Sequence, residues 1–163
     1  MATQGKKLKI GWFSFSCCED STILFTELLN DHFVAWRDAL DIQHARVLQN
    51  KNVLDDIDVA FVEGAISSLE EEAFVKKIRG VSKRVVAIGA CANTGLPSGQ
   101  RNQFDEDTKA SIQYLLDRFG QSKTVRSLAE VVAVDDRVPG CPMDEKKFLD
   151  VLQKYLKEFN IVS

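Results

Sequence analysis

Short β-branched, apolar runs alternate along this chain with amphipathic stretches of helical period, and that alternation leaves few folds open to it. Residues 8–15 (LKIGWFSF) read as a strand, and residues 20–33 (DSTILFTELLNDHF) place apolar side chains at helical spacing behind Asp20 or Ser21 as the N-cap. A second strand is expected over 42–48 (IQHARVL), and 58–64 (DVAFVEG) is an apolar run ending at Gly64. Such runs suit strands covered on both faces. Residues 67–80 (SSLEEEAFVKKIRG) start at Ser67 or Ser68, carry acids in the first turn and bases in the last, and stop at Gly80, which predicts a crossover helix. Residues 84–90 (RVVAIGA) predict another buried strand, 105–120 a helix, 129–134 (AEVVAV) a short strand and 144–159 a closing helix. The expected architecture is an open, mostly parallel α/β sheet with helices on both faces, flavodoxin-like or Rossmann-like, forming one domain over residues 1–163.

With 163 residues, 45% of them hydrophobic and 28% charged, the chain has enough apolar material for a core without disulfide staples. A formal net charge of -3 provides no positive field for a nucleic acid backbone. No apolar run has the length of a direct membrane span, and MATQGKKLK lacks the apolar core of an export signal, so a cytoplasmic protein is expected, compatible with a peripheral place on a membrane complex.

Within that architecture the cysteines take on a pattern. Cys17 and Cys18 follow the first strand, Cys91 follows RVVAIGA, and Cys141 follows the last strand within VPGCP. Ligands of open parallel sheets gather beyond the carboxyl ends of the strands, so all four thiols are expected on one rim, and none in a helix. Four thiolates assembled from three distant loops suit tetrahedral zinc or an iron–sulfur cluster. The absence of any CxxC knuckle and the divergent directions of adjacent cysteines favour a [4Fe-4S] cube, although a free cysteine taken alone is more often a small buried hydrophobe than a ligand. A flavin carrier is a weaker alternative, because SCCEDST has neither a glycine-rich nor a repeated Ser/Thr phosphate cradle.

The chain resembles the small, electron-transfer subunit of [NiFe] hydrogenases of the cytoplasmic, NAD(P)-linked type, and its relative, the 20-kDa subunit of respiratory complex I. The resemblance runs through KIGWFSFSCCED, DVAFVEGAISS, VAIGACANTGLPSGQRNQF and VPGCPMDEKKFLDVL, in the family's order. It implies that Cys17, Cys18, Cys91 and Cys141 bind one [4Fe-4S] cluster next to the active site of a partner subunit. That large subunit would hold the Ni-Fe centre, and diaphorase-type flavin/iron-sulfur subunits would take the electrons onward. Pro139, Gly140 and Pro142 match the turn around the last ligand, and Gly89 the loop of the third, where small residues let backbone amides approach sulfur.

Some residues depart from the pattern. Most hydrogenase small subunits have CxxC at the first pair; here Phe15 precedes an adjacent pair, as in the complex I branch, which leaves a quinone-reducing module as an alternative. VEGAISS and GLPSGQRNQF instead resemble the soluble hydrogenases, and Ser21 stands where complex I relatives carry an acid. Asp20 takes the place of the family's carboxylate, as a proton relay or a helix N-cap, and Glu63 matches a family acid, as a relay or a structural carboxylate. Arg101 and Asn102 match an RN pair that reaches a partner or sits in an exposed loop, and Met143 replaces a proline. Trp12 and Trp36 are expected in the core or an interface, and His32 and His44 away from the cysteines.

Overall fold

The computed structural model describes residues 5–162. Met1–Gln4, part of the stretch read above for an export signal, lie outside the described residues.

Five strands, β1 (Leu8–Ser14), β2 (Leu40–Ala45), β3 (Ile57–Glu63), β5 (Ser82–Ile88) and β7 (Asp136–Val138), form one parallel sheet in the order β2-β1-β3-β5-β7. Every residue of β3, the central strand, is buried. The apolar run at its centre, residues 59–62, follows from that position, since both faces are covered. Strand alternation sorts side chains to opposite layers. Leu8, Ile10, Trp12, Phe61, Val86 and Ile88 point to one core with helices α1 (Asp20–Asp31), α2 (Phe33–Ala39) and α6 (Glu145–Glu158). Phe13, Ala60, Val62, Val85 and Ala87 point to the other, with α3 (Leu69–Val81) and Ala92 of α4 (Gly89–Thr94).

Aromatic rings dominate the first core. Trp12 stacks on Phe25 at 4.3 Å between centroids, and Phe148 of α6 meets Trp12, Phe25, Phe61 and Trp36 edge-on. Trp12 and Trp36 are core residues, as expected. Among the described residues no helix is long and apolar enough to cross a membrane.

Several expected elements differ. The helix over 20–33 breaks at His32, and a second helix, α2, follows. Residues 46–48 leave the strand expected over 42–48, because the chain turns at Ala45, whose carbonyl accepts from Leu48 N and Gln49 N. Residues 129–134 are not a strand. Leu128–Glu130 form a 3-10 turn locked by a capping box, with the Glu130 carboxylate accepting from Ser127 N at 2.6 Å and Ser127 Oγ at 2.7 Å. Val131, Val132 and Val134 pack against the second core from an irregular segment, and β7 begins beyond them. The strand over 84–90 starts two residues earlier and ends at Ile88, so Gly89–Thr94 become α4. Cys91 therefore lies in a helix, contrary to expectation.

A small antiparallel sheet pairs β4 (Ile66–Ser68) with β6 (Gln121–Arg126), and neither strand was legible in the sequence. Helix α5 (Glu106–Arg118), capped by Asp105 through Thr108 N at 2.8 Å, packs on β6 and buries none of its residues. Arg101 and Asn102 are not free loop residues. Arg101 donates to the Ser67 and Ser122 carbonyls, and Asn102 bonds both the N–H and the carbonyl of Val125, which ties the small sheet to the chain leaving α4.

Candidate metal centre

Four parallel strands end at one level. Register pairs Ser14 with Glu63, Glu63 with Ile88, and Ile88 with Val138. Cys17, Cys91 and Cys141 each sit three residues beyond the strand end that precedes them. The neighbours of β1 are reached by connections leaving in opposite directions, to β2 on one side and β3 on the other, so the rim above β1 and β3 is a switch point where parallel sheets hold ligands. Cys17, Cys18, Cys91 and Cys141 line one cleft there, with Asp20, Ser21, Glu63, Gly89, Ala90 and Gly140.

Each loop is pinned by identifiable bonds. Ser16 and Ala65 exchange both backbone hydrogen bonds, at 3.1 and 3.0 Å, which fixes the chain entering Cys17. Ala90 N donates to the Gly140 carbonyl at 2.7 Å, joining the Cys91 helix to the Cys141 turn. Met143 N donates to Ser21 Oγ at 3.2 Å, joining that turn to α1; Met143 is itself buried, so the residue replacing a family proline closes this junction.

The start of α1 departs from the expected capping. Its N-cap is Glu19, at φ 64°, with no side-chain cap bond; neither Asp20 nor Ser21 is the cap. The acceptor comes from across the sheet. Glu63, only 3% exposed, takes hydrogen bonds from Ser21 N at 3.0 Å and Thr22 Oγ1 at 2.6 Å. Thr22 Oγ1 in turn accepts from Trp12 Nε1 at 2.8 Å and lies 3.1 Å from Ser14 Oγ. With its proton given to Glu63, that hydroxyl has two lone pairs left, which the indole and Ser14 fill, so the network is satisfied throughout. Asp20, freed from capping, stands beside two thiols: its carboxylate oxygen, Cys18 Sγ and Cys141 Sγ lie within 4.8 Å of one another.

The cysteines are free and differ in environment: Cys91 is buried, Cys17 half-buried, Cys18 and Cys141 exposed. Burial, reinforced by the charge of Glu63, pushes the Cys17 thiol up to about 12. At Cys18 the Asp20 backbone N–H favours the thiolate, but burial and the Asp20 carboxylate outweigh it and the thiol lies above its ordinary value. A coordinated metal reverses this preference by displacing the thiol protons. The donor set fits an iron–sulfur cluster: four soft thiols from three loops around one cleft, with small residues Gly89, Ala90 and Gly140 beside them.

The histidines lie elsewhere, as expected. His44 Nδ1 is 3.1 Å from the Trp12 carbonyl and its ring stacks on Phe13, while His32 stacks on Trp36. The roles of Ser21 and Thr22 at the site were missed in the sequence, where they look like ordinary first-turn residues.

A doubly wound parallel sheet with thiols grouped at its switch point defines a class of α/β proteins built to hold a ligand at the carboxyl rim. Residues 17–155 match the model of the family described as NADH ubiquinone oxidoreductase, 20 Kd subunit, and the chain belongs to that family. It is similar to a chain of the F420-non-reducing hydrogenase vhu of Methanocaldococcus jannaschii, 26% identical over 89% of this chain and 54% of that one. It is also similar to the NAD-reducing hydrogenase HoxS subunit delta of Cupriavidus necator, 23% identical over 93% of this chain and 79% of the other. The chain spans about half the length of the methanogen relatives it matches first. Among solved structures, a chain of an NAD+-reducing [NiFe]-hydrogenase in the H2-reduced state superimposes with a TM-score of 0.79 at 22% identity, covering 94% of this chain and 93% of that one. That likeness shows a shared fold.

Proposed function

We propose that the chain is the electron-transfer small subunit of a [NiFe] hydrogenase, one flavodoxin-like domain over residues 1–163 that holds a single [4Fe-4S] cluster on Cys17, Cys18, Cys91 and Cys141. The observation that carries this reading is the convergence of four cysteines from three loops on the switch point of the sheet, in a chain whose curated relatives include hydrogenase subunits. When bound, the cluster supplies single-electron transfer between the Ni-Fe site of a large subunit and a downstream flavin or iron–sulfur carrier during H2 oxidation or proton reduction.

The chain's own residues position that group. Glu63 anchors the α1 start to the sheet, the Ser16–Ala65 pair and the Gly140 carbonyl hold the ligand loops, and Ala65 and Val125 shield Cys91 and Cys17 on their inner side. Ser14, Thr22 and Glu63 form a hydrogen-bonded line from a surface cleft beside Arg46 and Glu19 to the cysteine rim, which fits a proton path, with Asp20 at its outer edge. Exposed Ile23, Leu69, Tyr114, Leu115 and Phe119 suit a chain that works within a heteromeric complex. The complex would work in the cytoplasm.

Anaerobic co-purification of the tagged chain with its partners, followed by metal analysis, electron paramagnetic resonance and H2-dependent dye reduction, tests the reading. Nickel together with about four or more irons per chain, with hydrogen activity, supports it. Iron without nickel or hydrogen activity moves the assignment to a complex I-like quinone-reducing module, and zinc held in a four-sulfur shell by all four cysteines overturns electron transfer.

A further inference from the structure

The four thiols of the rim divide into two groups. Cys17 Sγ donates to the Phe15 carbonyl at 3.6 Å, Cys91 Sγ lies 3.2 Å from Ser98 Oγ, and both side chains pack with Ala65 and Val125. Cys18 and Cys141 belong to the outer surface, where their sulfurs and an Asp20 carboxylate oxygen come within 4.8 Å of one another on three exposed residues.

This outer trio is organised by the fold. Asp20 opens α1, whose next amide, Ser21 N, is held by the buried Glu63 carboxylate at 3.0 Å. Ser21 Oγ accepts from Met143 N at 3.2 Å, two residues beyond Cys141, and Asp144 N closes the same turn onto the Pro139 carbonyl at 2.7 Å. The segments carrying Asp20 and Cys141 are thus bonded to each other. Two thiolates on a tetrahedral zinc-type ion stand about 3.8 Å apart, given metal–sulfur bonds of about 2.3 Å. The two sulfurs already lie within 4.8 Å of each other, so side-chain rotation alone brings them to that spacing, whereas Cys17 and Cys91 must leave their apolar contacts to join.

We propose that the cluster-free chain binds one borderline divalent ion, zinc in type, through Cys18 Sγ, Cys141 Sγ and an Asp20 carboxylate oxygen, with water in the fourth position. Two soft donors select zinc or cobalt over magnesium or calcium. Binding is not redox: two metal–sulfur bonds replace two S–H bonds, the two thiol protons go to solvent, and the carboxylate adds without proton loss. The ion and the cluster need the same two cysteines, so they exclude one another; that competition rests on the proposed function, while the ion site itself rests on the geometry alone.

The test is a cobalt(II) titration of the full chain, purified anaerobically under reducing conditions without iron reconstitution. Wild type, Cys17→Ser and Cys91→Ser are expected to bind one cobalt with the same thiolate charge-transfer and d–d bands and affinities within about twofold. Cys18→Ser and Cys141→Ser should weaken binding about 100-fold or more, and Asp20→Asn about 10-fold with shifted d–d bands. Binding weakened as much by Cys17→Ser or Cys91→Ser, or left unchanged in affinity and bands by Asp20→Asn, overturns the proposal. X-ray absorption at the zinc edge of the zinc-loaded wild type needs no variant: two sulfur and two lighter ligands agree, and a four-sulfur shell refutes. Nickel and hydrogen activity in the co-purified complex report on the hydrogenase reading separately, so either idea can fail alone.

Discussion

Gly64 and Gly95 both have left-handed backbones, at φ 97° and 80°, yet their surroundings differ in a way that makes alanine a probe of the Cys17 loop. A Cβ on Gly64 would lie 2.8 Å from the Phe15 carbonyl carbon and 3.0 Å from Ser16 N, and both are backbone atoms that move only if the Ser16–Ala65 pair moves. A Cβ on Gly95 would meet nothing closer than Ser127 N at 3.5 Å, an ordinary contact. The conformational cost is common to both, about 1–2 kcal/mol. Only Gly64→Ala adds overpacking, about 1–3 kcal/mol, for a total of about 2–5 kcal/mol. Urea denaturation of the full chain, reduced and metal-free, measures the difference, with m-values compared to confirm a common unfolding reaction. Iron content after cluster reconstitution gives a second readout, expected to fall for Gly64→Ala and to persist for Gly95→Ala. A Gly64→Ala cost within about 0.5 kcal/mol of that of Gly95→Ala would refute the claim that backbone apposition at residue 64 positions the first ligand pair.

Other perturbations follow from the same structure. Glu63→Ala removes the charged acceptor of Ser21 N and Thr22 Oγ1 from a buried site and should cost about 2–4 kcal/mol by urea denaturation, with Glu63→Gln costing less because one carbonyl oxygen remains. Phe148→Ala empties the centre of the aromatic cluster and should cost about 3–5 kcal/mol, read as a lowered denaturation midpoint at unchanged m. Burial holds the His44 imidazole below its ordinary value of 6.5, against the opposing pull of the Trp12 carbonyl. The unfolded chain therefore binds the proton more readily: this contribution to stability is fully present above about pH 6.5 and is lost as the pH falls through the folded value. Midpoints measured from about pH 8 to about pH 5.5 should decline, and His44→Gln should flatten that slope.

The parallel α/β architecture was legible because β3 and β5 carry unbroken apolar runs, and because Ser68, Asp105 and Asp144 each cap a helix through an amide three residues on, a strictly local bond. Grouping of the cysteines was legible for the same reason: once the strands run parallel, residues that follow strand ends share a rim. The valines at 131, 132 and 134 misled, because packing under a sheet rewards apolar side chains whether or not their backbone pairs. Strands β4 and β6 were hidden because each is mostly small or polar, with one apolar residue, Ile66 or Val125, and takes its extended form from pairing with the other, far away in the chain. The start of α4 at Gly89, within the stretch read as strand, depends on where β5 stops, which local propensity does not encode.

Sequence alone determined the fold class, the identity of the four thiols and the rim they occupy, since hydrophobic period and local capping are written into neighbouring residues. Tertiary structure decided how those thiols are divided and what the acids do. Glu63, which reads as a proton relay or a structural carboxylate, accepts from the first turn of α1 because β3 lies beside β1 and ends level with it. Asp20, which reads as the cap of that helix, is thereby left free beside Cys18 and Cys141. A carboxylate takes whichever donors the completed packing brings within hydrogen-bond reach, and for residues 42 positions apart no local pattern announces that meeting.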